Sequence, residues 1–87
     1  MKLANSKARG AVQTLSPFTG SHTFGEWRGS AYVVCSYGYH FPLFVFKDGA
    51  WYENSDKYSV STSKHRSQLH PLEETAKATT ADMRRLF

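Results

Sequence analysis

AYVVCSYGYHFPLFVFKDGAWYEN, residues 31–54, decides how this chain folds. Tyr32 to Tyr37 and Phe41 to Lys47 are dense in aromatic and β-branched side chains, bounded by Gly38 and by Asp48-Gly49. That is the composition and punctuation of adjacent antiparallel strands. Asp48-Gly49 is the sharper signal, because a two-residue type I′ turn needs positive φ at both central positions, which Asp tolerates and Gly adopts freely. Phe46-Lys47 should therefore fold back onto Ala50-Trp51. Both strands place apolar bulk on each side of the ribbon: Tyr32 and Val34 oppose Val33 and Cys35, and Phe41, Leu43 and Val45 oppose Phe44 and Phe46. Neither face reads as wet, so both need a cover. Pro42, which has no amide proton, belongs at a strand start or at a bulge.

Outward from this stretch, His22 to Arg28 alternates Thr23, Gly25 and Trp27 against Phe24, Glu26 and Arg28, and Gly29-Ser30 offers a turn into Tyr32. The fold class expected is α+β: a small antiparallel four-stranded β-meander from His22 to Glu53, with one short helix and a C-terminal helical turn packed on one face. Beyond Asn54, Lys57 to Val60 suits one short extended segment. Ser61, Thr62 or Ser63 then supplies the N-cap of a helix running to about Leu69 and stopped by His70-Pro71, with Tyr58, Val60, His65 and Leu69 turned inward. Leu72 to Ala78 reads as a polar connector or frayed helix. Thr79 or Thr80 caps a last turn that docks Met83, Leu86 and Phe87 on the sheet. Residues 1–20 read as a flexible N-terminal tail, in which Ala11-Val12 and Leu15 support at most one weak helical turn ended by Ser16-Pro17. The single domain is then 21–87.

A chain of 87 residues makes one domain with a limited core. Six Phe, five Tyr and two Trp supply much of its apolar area, and a small open sheet with an apolar second face points to a homodimer. The net charge of +4 mildly favours an anionic partner. One cysteine excludes an intrachain disulfide, and no run approaches the roughly 18–20 apolar residues that span a bilayer. A soluble protein in a reducing interior, without a membrane partner, is expected.

Cys35, His40, His65 and His70 are zinc-ligand types, but tight ligand pairs are missing, so no metal and no cofactor is implied. Cys35 with His40 or His65, assisted by Asn54 or Asp56, would make a nucleophile and base. A mid-strand cysteine lacks the exposed, electropositive setting that activates a thiol. No phosphate loop, paired-carboxylate motif or nucleotide fingerprint is present, and the chain reads as non-enzymatic. The candidate binding residues are Lys57, Thr62, Ser63, Lys64 and Arg66, where a helix start beside cations forms an anion-binding corner, together with Tyr39 and His40 in a hairpin turn. Tyr37, Trp51 and Tyr52 also surround the hairpin ends and could stack on bases or on a protein partner. The structural alternative is that the hydroxyls only cap, the cations are solvated and most aromatics pack the core. His65 is expected to turn toward the sheet beside Tyr58 or Trp51, one ring nitrogen engaging a backbone carbonyl or Asn54.

Ser36-Tyr37-Gly38, Phe41-Pro42, Trp51, Asn54, Lys57-Tyr58-Ser59 and Thr62-Ser63-Lys64-His65 form a pattern that resembles a family of small bacteriophage and mobile-element proteins of unestablished function. The resemblance covers about half the chain and supplies no catalytic residues. It implies a phage protein acting in the host cytoplasm as an accessory factor, one that binds a host protein, such as a defence component, and inhibits or redirects it. Interface hot spots favour Trp, Tyr and Arg, which this chain carries near its turns. The alternative is an anion-binding module for nucleic acid or a phosphorylated signalling nucleotide, acting as a sponge.

Overall fold

A computed structural model of the chain describes residues 5–20, 22–36, 41–56, 65 and 67–87. Helix α1 spans Asn5–Gln13. Strands β1 to β6 span Phe18–Thr19, Thr23–Arg28, Ala31–Ser36, Pro42–Lys47, Ala50–Asn54 and Thr75–Ala78, and helix α2 spans Thr80–Arg84. His65 and residues 67–69 are also helical. The strands form one sheet in sequential order, antiparallel from β1 to β5, with β6 joining β5 in parallel. No described helix is long and apolar enough to cross a membrane.

Turn chemistry sets the centre of the sheet. Asp48 and Gly49 have φ of 53° and 79°, as the hairpin between β4 and β5 requires, and Gly29 has φ of 62° at the first central position of the β2–β3 turn. Pro42 is the first residue of β4. There Val34 faces Phe44 while Cys35 faces Pro42, so Leu43 is the extra residue of a bulge that absorbs the missing proline amide.

Both faces of β3 and β4 are covered by the chain itself. On one face Tyr32, Val34, Leu43, Phe44 and Trp51 pack with Ala8 and Val12 of α1, Phe18 of β1, and Leu69. On the other, Ala31, Val33, Cys35 and Val45 pack with Met83, Leu86 and Phe87 of the C-terminal segment. Thr79 caps α2, its hydroxyl accepting the Asp82 amide at 3.2 Å, as the sequence suggested. The helices thus lie on both faces instead of one, and the apolar second face that pointed to a homodimer is buried by α2.

Two further expectations change. The sheet has six strands and is mixed, because residues 75–78, expected as connector or frayed helix, form β6. The alternation Thr75-Ala76-Lys77-Ala78 carries too little apolar character to announce a strand, and pairing with β5 supplies what propensity does not. Residues 5–19, expected as tail, form α1 and β1. A nine-residue helix containing Gly10 is marginal alone, since glycine costs about 1 kcal/mol against alanine and short helices nucleate poorly. Full burial of Val12, worth about 1.5–3 kcal/mol, offsets this once the sheet is present. The helix ends in paired backbone bonds, Ser16 N–H to Ala11 C=O at 2.8 Å and Leu15 N–H to Val12 C=O at 3.1 Å, with Leu15 at φ 57° where glycine is usual. A left-handed Leu15 costs about 1–2 kcal/mol, and its carbonyl gains the Trp27 indole N–H at 3.0 Å in return.

Gly25 locks this added layer down. A β-carbon built on it would lie 2.6 Å from the Tyr32 hydroxyl oxygen and collide with the Phe18 ring. Tyr32 in turn donates its hydroxyl to the Ser16 carbonyl at 2.7 Å. Gly25→Ala should therefore destabilise the protein by about 1–3 kcal/mol through overpacking. In a double-mutant cycle with Phe18→Leu, denaturant unfolding should show a coupled, less than additive loss; strict additivity would mean that β1 does not pack on Gly25.

Candidate functional site

The binding residues expected from sequence, Tyr39, His40, Lys57, Thr62, Ser63, Lys64 and Arg66, lie outside the described residues, as do Tyr37 and Tyr58, the 57–60 segment and the proposed N-cap. His65 is described and buried, and its Nδ1 lies 2.9 Å from the Ser36 hydroxyl. Its inward packing agrees with the sequence reading. That bond joins it to Ser36 at the end of β3, a partner the sequence reading, which named a backbone carbonyl or Asn54, did not foresee. Asn54, also fully buried, donates to the Pro42 carbonyl at 2.8 Å and to the Thr80 hydroxyl at 2.9 Å. Its Oδ1 accepts the Asp56 amide at 2.8 Å, and the Asp56 carboxylate accepts the Thr80 amide at 2.8 Å. This network fastens the start of α2 to the end of β5. The Thr80 amide, followed by its hydroxyl, holds the Asp56 carboxyl below the usual aspartate range.

Cys35 has 0% exposure, and burial, followed by the charge of Glu26, pushes its thiol up to about 12. A thiol so placed is a small core residue rather than a nucleophile. Among the described residues no group of three or more His, Cys, Asp or Glu side chains is placed to hold a metal ion.

A polar cluster that sequence reasoning missed is built on Glu53. The parallel register sets Trp51 beside Thr75 and Glu53 beside Lys77, so these four side chains share one face. Glu53 is 7% exposed, and its Oε1 accepts from Thr75 Oγ1 at 2.8 Å, Lys77 Nζ at 2.8 Å and His70 Nε2 at 3.2 Å. His70 Nδ1 accepts the Leu72 amide at 2.9 Å, which assigns the proton of the neutral ring to Nε2 and makes it the donor to Glu53. Burial pushes the Glu53 carboxyl up. The hydrogen bonds from Lys77 and Thr75, with the charge of Lys77, outweigh it, and the carboxyl lies below the usual glutamate range. This is a clamp: it fixes β6 and residue 70 against β5 and leaves Glu53 ionised and occupied.

Beside the clamp an open groove of about 690 Å³ is lined by residues of three regions: Gln13 and Leu15 at the end of α1, Phe46 and Trp51 with Gly49 and Ala50 of the β4–β5 hairpin, and the 73–76 segment. The Phe46 and Trp51 rings meet at 5.2 Å between centroids, and Gln13 Nε2 bonds the Pro71 carbonyl at 3.2 Å. Glu73 and Glu74 are exposed on its rim, and Leu72, 64% exposed at φ 60°, precedes them. The adjacent Glu73-Glu74 pair in a basic chain was the only sequence trace of this site. Comparison with protein-family models, with curated proteins and with solved structures gives no match.

The depressed Glu53 carboxyl fixes a sign for acid stability. Its contribution is fully present above the unfolded-state value of about 4.3 and is lost as pH falls from there through the lower folded-state value. Glu53→Gln should cost about 1–2 kcal/mol at neutral pH, a figure discounted for the exposed Lys77. Its melting temperature should also fall less steeply than that of the parent protein below about pH 4.3. Parallel pH profiles for the two proteins would remove Glu53 from the acid response.

Proposed function

We propose that this chain is a non-enzymatic bacteriophage accessory protein that binds a host protein and inhibits or redirects it. The phage assignment follows the resemblance of its Ser36-Tyr37-Gly38, Phe41-Pro42 and Thr62-Ser63-Lys64-His65 segments. The single observation that carries the binding role is the groove at the α1 end of the sheet, open to solvent and floored by Leu15, Phe46 and Trp51. Grooves with an apolar floor and a polar rim are where protein surfaces take ligands and partner side chains. The polar groups around it support binding over chemistry. Beside it the Glu53 carboxylate is occupied by three donors and both His70 nitrogens are engaged.

The test is affinity capture from host lysate with the tagged full chain and with Ala50→Arg, which places a long side chain on the exposed rim without touching the core. A host protein should be retained by the parent chain and lost by the variant at unchanged melting temperature. No retention above background under several conditions would sink the binding reading. Equal retention by both proteins would move the contact off the groove. Retention of nucleic acid or a nucleotide instead, weakening steeply with salt in the nucleic-acid case, would favour the anion-binding alternative centred on Lys57, Lys64 and Arg66.

A further inference from the structure

The electrostatics of the groove identify the chemistry of what it takes, on the premise that it is the binding surface proposed above. Among the described residues its lining holds two carboxylates, Glu73 and Glu74, and no cation. Neither carboxylate is paired with another described side chain. Two basic groups on the strands beside it are engaged elsewhere: Lys77 with Glu53 at 2.8 Å, and Lys47 with the Leu86 carbonyl at 3.0 Å. Gln13, the last residue of α1, also lines the groove, its amide nitrogen donating to the Pro71 carbonyl. A chain with a net charge of +4 thus sets two acidic side chains, and no described cation, around one concave surface.

The floor completes the recognition. Half-buried Phe46 lies beside Leu15 and the edge of the nearly buried Trp51, which suits the stem of a long basic side chain and, through the Phe46 ring, its charged head. An anion would meet two carboxylates there, and a purely apolar side chain would leave both without a counter-charge. We infer that the groove is a receptor for a cationic side chain, arginine or lysine, presented between apolar residues by a segment of the partner protein.

The probes are three N-acetylated tripeptide amides, leucine-arginine-leucine, leucine-norleucine-leucine and leucine-glutamate-leucine, titrated into the labelled full chain and followed by NMR. The arginine peptide should shift the Trp51 indole and the amides of residues 73–76 saturably. The norleucine and glutamate peptides should bind about tenfold more weakly or not at all, the size expected for a cation–π contact and surface charge pairs together. Replacing both rim acids, Glu73→Gln with Glu74→Gln, should remove that preference without changing the melting temperature, because neither side chain is paired in the fold. Equal binding of arginine and norleucine peptides, or shifts scattered away from the groove, would overturn the inference. If a captured host protein is lost by Ala50→Arg but retained by the double glutamine variant, the groove binds its partner and the cationic anchor is wrong. If Ala50→Arg also retains it, the groove reading itself has failed.

Discussion

The constraint from which the architecture follows is that β3 and β4 are apolar on both faces. Tyr32, Val34, Leu43 and Phe44 fill one side of the sheet and Val33, Cys35 and Val45 the other. A meander alone covers neither. Isolated sheets of few strands are stable only when a hydrophobic face is covered, and here there are two to cover. The rest of the chain meets this demand by dividing itself. α1, β1 and Leu69 take one side, and α2 with Leu86 and Phe87 takes the other. In so short a chain almost every element is used as cover, which is why even the N-terminal segment is drawn into the core.

Dividing the cover between two faces requires the chain to cross the sheet and come back, and the end of β5 is where this is organised. Glu53 and Asn54 are neighbours pointing to opposite faces. Glu53 gathers Thr75, Lys77 and His70, which fixes the returning segment and lays β6 down in parallel. Asn54 gathers Pro42, Thr80 and the Asp56 amide, which fixes α2. A parallel partner needs a connection of a dozen or more residues, and residues 55–74 supply it while passing Leu69 across the first face. Buried polar groups without partners cost about 1–3 kcal/mol each, so these two residues specify the topology as well as stabilise it.

The groove is a by-product of the same arrangement. Because β6 begins level with Trp51, and α1 stops at Gln13 with Leu15 turning the chain away, the corner of the first face is lined but not filled. The segment leading into β6 brings Glu73 and Glu74 to its rim, and Gln13 at the end of α1 lines it.

What the sequence by itself determined was local. Asp48-Gly49 and Gly29 fixed two hairpins, the alternation of Ala31 to Lys47 required cover on both sides, Pro42 marked a strand start, and Thr79 announced the last helix. His70-Pro71 likewise marked the end of a helical segment. Each is a backbone or pattern effect acting within a few residues, where φ preference and side-chain periodicity are legible. Only the tertiary structure decided the rest. α1 carries a mid-helix glycine and a leucine where a terminating glycine would be expected, and β6 is small and polar, so neither advertises itself. Both exist because burial of Ala8, Val12 and Phe18, and the Glu53 clamp, outweigh weak local preferences. The groove belongs to the same class. Gln13, Trp51 and Glu74 are far apart along the chain, and only a parallel strand pair, which no local signal encodes, sets them around one space.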